Sequence, residues 1–416
     1  MTLGGSAKEM LVERDLASLE FWARPQAERD VLFEKLRVAR EPVFCPRPGG
    51  PGFYALTRYE QVAGAARNPK VFSSEPTSSS LVDPAPPIRE FSGSMISMDD
   101  PRHARLRRIV SRSFTPRRVN KIADDVAALA AHIVDELVRR GPCDFTAHVA
   151  TPMPLQIICS MMGVPESAYD DVVAATNAIL TLGRGDLDSL GPDGEGRETV
   201  LTESFTYLHE LMADLGRLRR ERPSDDLVSA LLHANVDGEA LTERELGRFF
   251  SLLAVAGNET TRHALSHALV LFTAHPDQKS LLLSDLDRHL PGAVEEVLRY
   301  ATPVTWMRRT LTRDHTLFEH TYRAGEKVVL YYNSANRDED VFKDPHTFDI
   351  TRAPNPHFGF GAPGPHFCLG SHLARHEMTT MLRELLTRLP GLHATAEPDR
   401  EGGIITNGIK ALPCAF

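Results

Sequence analysis

The chain has 416 residues, 42% of them hydrophobic and 25% charged, an ordinary globular composition with enough length to bury a large core and a cavity inside it. Its net charge of -9 argues against nucleic acid or an anionic membrane surface as a partner. The polar, charged stretch 1–15 reads as neither signal peptide nor anchor, and no run reaches the roughly 18 apolar residues of a membrane span, so no membrane anchor and a cytoplasmic location are expected. Five scattered cysteines, Cys45, Cys143, Cys159, Cys368 and Cys414, form no CxxC and suit a reducing compartment better than a disulfide framework.

Taken in chain order, residues 30–40 carry the three- and four-residue apolar spacing of a helix. A short strand is expected at 53–57 and a helix at 59–68. The Ser- and Pro-rich stretch 73–93 reads either as a lid or binding loop or as plain surface loop. Helices follow at 116–140, 167–182 and 199–221, the last two separated by a Gly- and Asp-rich loop at 183–196. The longest helix starts at Thr242, which with Glu245 has capping-box spacing. It runs to His275 before Pro276, roughly 50 Å at 1.5 Å per residue. Strands at 327–332 and 410–415 and a helix at 371–389 complete the chain. There is no internal repeat and no low-complexity linker. The expectation is one unit spanning 1–416, mainly α with a small β-rich part.

Two segments break the local rules. In the middle of the long helix stands Ala256-Gly257-Asn258-Glu259-Thr260-Thr261, where Gly, Asn and Thr are poor interior helix formers. Thr hydroxyls that bond back to the backbone bend helices, and an acid beside an alcohol at such a distortion suits a proton relay. A solvated or N-cap-like patch is the other reading of the same residues. The second segment is the loop from His357 to Gly370, which holds Gly359, Gly361, Gly364 and Gly370 and places Cys368 just before a helix. Glycines let a backbone approach something flat and bulky, and a helix N-terminus favours a thiolate.

The loop also fits GxGxxG at Gly359-Phe360-Gly361-Ala362-Pro363-Gly364. A dinucleotide site needs a preceding buried strand, and here Pro354 and Pro356 precede it. Zinc is another reading, since Cys368, His372 and His376 recur every four residues. It leaves both the glycines and the long-helix anomaly unexplained.

Together these residues resemble the cytochrome P-450 family over nearly the whole chain. The loop Phe360-Gly361-Ala362-Pro363-Gly364-Pro365-His366-Phe367-Cys368-Leu369-Gly370 is similar to the family's haem loop, with one residue more than its commonest form and Pro363 where Gly or Thr often stands. Residues 256–261 match its oxygen-activation motif. Glu296-Val297-Leu298-Arg299 matches its ExxR, with Arg352 after Phe348-Asp349 completing the ion network. Alone, an i,i+3 pair of this kind is a weak signal.

The resemblance implies the P-450 fold, a large helical domain with a small β-rich one and haem b between the long central helix and the cysteine loop. It implies Cys368 as iron ligand, Phe360 and Gly361 beside the haem, and His103, Arg107, Arg309 and His366 on the propionates. The activity implied is a haem-thiolate monooxygenase that splits O2 and hydroxylates an unactivated C–H bond, with Thr260 and Glu259 handling protons. Electrons are expected from NAD(P)H through a ferredoxin reductase and a ferredoxin. An acidic ferredoxin is expected to dock on 102–121, which holds seven Arg, one Lys and no acid.

Within the family the chain is most similar to mycobacterial enzymes that hydroxylate chain ends of methyl-branched lipids and cholesterol-type side chains. Segments 155–163, 306–310 and 334–338 carry that kinship. An apolar substrate pocket is expected, with Leu252, Val255, Ala256, Val304 and Ile405 lining it by their place relative to the motifs. Residues 94–98 and 183–196 are expected to influence substrate choice. The alternatives are a terpenoid hydroxylase and a non-enzymatic haem-binding redox sensor.

Overall fold

The computed structural model describes residues 16–39, 41–47, 49–84, 93–111, 114, 122–183, 194–233 and 240–416. Two cores share one helix. The main helices are α1 (Gln26–Val38), α2 (Tyr59–Ala66), α3 (Arg102–Ser111), α4 (Ala123–Arg140), α5 (Pro152–Met162) and α6 (Tyr169–Gly183). They continue as α7 (Gly194–Glu221), α8 (Glu243–Ala274), α9 (Pro276–Ser284), α10 (Leu286–Ala301) and α11 (Ser371–Arg388). Leu265, Leu269 and Phe272 of α8 pack with α4, α10 and α11 in one core. Phe249, Phe250 and Ala254, nearer its start, pack with α3, α5, α6 and α7 in the other. Because α8 serves both cores, any cavity between them lies against its middle.

α8 begins where its sequence demands. The Glu245 N–H donates to Thr242 Oγ1 at 3.2 Å and the Thr242 N–H donates to Glu245 Oε2 at 2.9 Å, a complete capping box. Pro276, which has no N–H to continue the ladder, opens α9 instead. The distortion expected at 256–261 is absent, since the helix is continuous from Glu243 to Ala274. Thr260 does back-bond, Oγ1 donating to the Ala256 carbonyl at 2.8 Å, and the ladder accommodates it without a break.

The main sheet contains β1 (Val43–Arg47), β2 (Gly50–Leu56), β3 (Phe72–Ser73), β4 (Trp306–Leu311) and β5 (Lys327–Tyr331), in the order β1-β2-β5-β4-β3. β2 and β5 are parallel, with Tyr54 opposite Val328, and the other neighbours are antiparallel. Along β4, Met307 and Arg309 face a cavity, so Arg308 projects from the opposite face. The strand expected at 410–415 divides into two short ones, Ile409–Ala411 and Pro413–Ala415. Residues 85–92, 112–113, 115–121 and 184–193 lie outside the described residues, and with them part of the expected basic stretch and most of the 183–196 loop.

Candidate active site

A cavity partly open to solvent lies between α8, β4 and the loop that precedes α11. Ala256, Thr260 and Ala264 face it from one stripe of α8, with Gly257 and Thr261 beside them. That i, i+4, i+8 spacing is one side of a helix.

Cys368 faces the cavity, whereas Cys45, Cys143, Cys159 and Cys414 are not among its lining residues. The Cys368 N–H donates to the Phe360 carbonyl at 3.0 Å, which closes the loop. Burial pushes the thiol up, while the Gly370 N–H and the charges of Arg107 and Arg375 pull the other way. A thiol so placed becomes a thiolate only beside a stronger positive charge, such as a bound iron. The loop glycines serve more than clearance for a ligand. Gly361 has φ +85°, and a Cβ on Gly364 would lie 2.5 Å from the Ala66 carbonyl oxygen. Among the four, only Gly370 would carry a Cβ into open space.

The four groups expected on the propionates all line this cavity. His103 and Arg107 come from α3, Arg309 from β4 and His366 from the loop. The rings of His103 and His366 lie 4.1 Å apart, and His366 Nε2 is 3.0 Å from Ser74 Oγ. Arg107 donates to the Phe367 carbonyl, and Arg309 donates to the Arg308 carbonyl at 2.7 Å. Burial, then the charges of Arg309, His103 and Arg107, push His366 down to about 2. Burial and Arg107 also lower His103, whose buried Nε2 finds no hydrogen-bond partner among the described residues. A dianionic ligand relieves this crowding of cations. The thiol, the orphaned imidazole nitrogen and the convergent Arg side chains fit a haem.

Glu296 and Arg299 are fully buried and joined by two hydrogen bonds of 2.7 and 2.8 Å. Arg352 Nε at 3.3 Å joins Glu296 as the sequence implied. Asn355 and the Asp349 N–H, which sequence reasoning missed, complete the carboxylate's shell at 3.1 and 3.0 Å. A second ion group was also missed. Neighbouring Glu295 binds Arg375 of α11 at 2.5 and 2.9 Å and His357 at the start of the cysteine loop at 3.0 Å. Burial opposes its charge, but the hydrogen bonds and charges of Arg375 and His357 win and hold Glu295 down at about 2. Arg375 also lies 4.3 Å from the Phe360 ring centre.

Two expected lining residues need correction, and Glu259, expected to handle protons, stands off the cavity wall. Its carboxylate turns toward Arg262 and His263, at 3.6 and 3.3 Å, near Glu401. Val255 and Ile405 do not line it either, whereas Leu252, Ala256 and Val304 do. Val255 packs into the α3–α7 core, and the Ile405 carbonyl accepts from Thr305.

Glu259, His263 and Glu401 are close enough to suggest a metal, but the chemistry disagrees. His263 Nδ1 accepts from the Ile409 N–H at 3.2 Å, so Nε2 keeps the hydrogen and has no lone pair to give. Arg262 already supplies the cation at Glu401. The zinc reading of Cys368, His372 and His376 also fails. Among the described residues the one metal-compatible group is that of Glu259.

Sequence reasoning also missed Glu377. It is a buried acid on the cavity wall, pushed up to about 8 by burial against a hydrogen bond with Thr261. Its signal was a lone carboxylate on an otherwise apolar helix face.

The family model for cytochrome P450 matches residues 19–404. This chain is a cytochrome P450. The P450 is 45% identical over 415 residues to a methyl-branched lipid omega-hydroxylase of Mycobacterium tuberculosis, covering 98% of this chain and 95% of that one. It is 35% identical to a steroid C26-monooxygenase of Mycolicibacterium smegmatis, covering 87% and 83%. A solved Mycobacterium marinum cytochrome P450 in complex with pseudoionone superposes with a TM-score of 0.87 at 41% identity, covering 96% of this chain and 97% of that one. The P450 is therefore a haem-dependent monooxygenase with a cysteine thiolate on iron, using O2, a hydrophobic substrate and a redox partner. The redox-sensor alternative is set aside. No helix among the described residues is long and apolar enough to cross a membrane.

Proposed function

We propose that this P450 hydroxylates the terminal carbon of a methyl-branched fatty acid or lipid, or of a sterol side chain, with Cys368 as the iron ligand. The carrying observation is the polarity of the cavity. Among the described residues, its charged or titratable lining apart from Cys368 and Tyr332 is His103, Arg107, Arg309, His366 and Glu377. The first four are engaged by the propionates, and Glu377 is held neutral by its raised pKa. Met95, Ile96, Phe249, Leu252, Val304 and Met307 leave a branched hydrocarbon an apolar berth. The names of the two lipid- and steroid-hydroxylating relatives support the same class.

When bound, the haem supplies oxygen activation and C–H oxidation, and the Cys368 thiolate favours O–O cleavage. His103, Arg107, Arg309 and His366 fix the propionates, with bidentate Arg geometry suited to carboxylate. Thr260 offers a hydroxyl on the cavity wall, its own proton directed to the Ala256 carbonyl at rest. Glu259 serves Thr260 from outside the cavity, and its carboxylate has to leave Arg262 and His263 to do so. The apolar wall excludes water from the reacting carbon.

Electrons come from NAD(P)H through a ferredoxin reductase and a ferredoxin in this proposal. The stretch 102–121 gives such a partner less than its composition suggests. Arg105 pairs with Glu245 at 2.6 Å and Arg107 faces the cavity, while Arg102 stays exposed.

Spectral titration tests the substrate class. Methyl-branched fatty acids or sterols are expected to drive the low-to-high spin shift and to yield terminal alcohols. A terpene-only response overturns the proposal. The solved relative that holds pseudoionone, a branched isoprenoid ketone, favours that second reading, a terpenoid hydroxylase.

A further inference from the structure

One carboxylate at the edge of the sheet serves two buried cations. Arg308 of β4 is fully buried and Lys327 of β5 is 7% exposed. Arg308 stands opposite Val329, two residues along from Lys327, so both side chains leave the same face of the sheet, away from the cavity. Asp83 meets both. Its Oδ1 accepts from Arg308 at 2.6 Å and its Oδ2 from Lys327 at 3.2 Å. Arg308 also donates to the Leu81 carbonyl at 3.2 Å. Burial raises the Asp83 carboxyl, but Arg308 and Lys327 together pull it down.

The same segment turns the edge of β4 and reaches the cavity. The Arg308 N–H donates to the Ser78 carbonyl at 2.7 Å. Ser78 then carries the opposite wall, its Oγ donating to the Ile96 carbonyl at 2.8 Å and its N–H to Ser97 Oγ at 3.2 Å. Ser78, Met95 and Ile96 all line the cavity. A continuous set of contacts therefore runs from Asp83, on the far face of the sheet, through Arg308 and Ser78 to the wall at Met95–Ile96.

We propose that Asp83 is a specificity-determining positioning residue, whose ion pairs with Arg308 and Lys327 hold the Met95–Ile96 wall at its distance from the haem. Without the carboxylate, two cations lose their shared partner. The 78–83 segment then no longer stays on the sheet, and a bulky ligand has to order the wall as it binds. A small ligand that touches only the iron does not. The inference rests on the haem site and is independent of which substrate class is correct.

The test uses haem-loaded protein with imidazole and phenylimidazole as small and bulky iron ligands, read by the Soret shift. Asp83→Asn is expected to raise the ratio of phenylimidazole Kd to imidazole Kd about fivefold, the cost of ordering a loosened wall. Asp83→Glu, which keeps the charge, returns the ratio toward that of the parent protein. Ser78→Ala, which cuts only the link to Ile96, moves it in the same direction as Asp83→Asn. An unchanged ratio in Asp83→Asn, or equal weakening of both ligands, overturns the proposal. Should Asp83→Asn fail to retain haem, the ratio in Ser78→Ala decides, and no change there overturns it as well.

Discussion

Replacing Glu377 by Gln separates a carboxyl that is neutral in the native state from one that is merely buried. Glu377 is 2% exposed on α11, and its pKa is pushed from 4.5 to about 8, chiefly by burial. A group raised in this way binds more protons in the native than in the unfolded state between those two values. Its stabilising effect is thus complete below the unfolded value near 4.5 and is lost as pH rises through about 8. At roughly 1.4 kcal/mol per pH unit, the interval from 4.5 to about 8 corresponds to about 5 kcal/mol. At pH 7 about nine molecules in ten keep the proton.

Gln is neutral at every pH and nearly the same shape, so the variant removes the slope and leaves the packing. The thermal midpoint of haem-loaded protein, followed from pH 5 to 8, is expected to fall for the parent by several degrees more than for Glu377→Gln. Infrared difference spectra of the two at pH 7 should show a protonated carboxyl band lost in the variant. Parallel midpoint curves together with no such band would refute the reasoning.

Cys368→Ala is expected to lose the ferrous-CO Soret band typical of thiolate haem, and persistence of the band would remove Cys368 as ligand. Thr260→Ala should keep haem and the substrate-induced spin shift but divert electrons to peroxide, measured as peroxide formed per NAD(P)H consumed. Full coupling would take Thr260 out of proton handling. Glu296→Gln leaves Arg299 and Arg352 without their shared anion in a fully buried site. A broken buried pair costs about 3–5 kcal/mol, so the denaturant midpoint should drop sharply and haem should dissociate sooner. An unchanged midpoint would show that the carbonyls around Arg299 suffice.

Motifs were legible where chemistry restricts the residue, and positions were not where only geometry does. Thr242 and Glu245 announced the start of α8, because a capping box is a local affair. Cys368, Thr260 and the Arg and His set expected on the propionates came from motifs and resemblance, and all of them face one cavity. Val255 was misplaced because it was judged by closeness to a motif rather than by helix face, and Glu259 shares its side of the helix. Successive residues turn by about 100°, and the cavity stripe through Ala256, Thr260 and Ala264 leaves both to one side. β4 escaped notice because Arg308 and Arg309 stand together in it. The two faces of the strand have different uses, one for the cavity and one for Asp83. The shells of Glu295 and Glu296 draw on residues far along the chain, such as Asn355 and Arg375, and no local pattern marks such pairs.

The adjacency of Glu295 and Glu296 fixes more than two ion groups. Side by side on α10, the two carboxylates leave the helix about 100° apart. One grips the run from Asp349 to Asn355, and the other grips the cysteine loop and α11. A turn of α10 about its own axis, or a slip of one residue, would break both sets at once. The helix is keyed like a shaft with two splines. The cysteine loop inherits that angular setting, so the place of the Cys368 sulfur on the cavity wall depends on how α10 is turned.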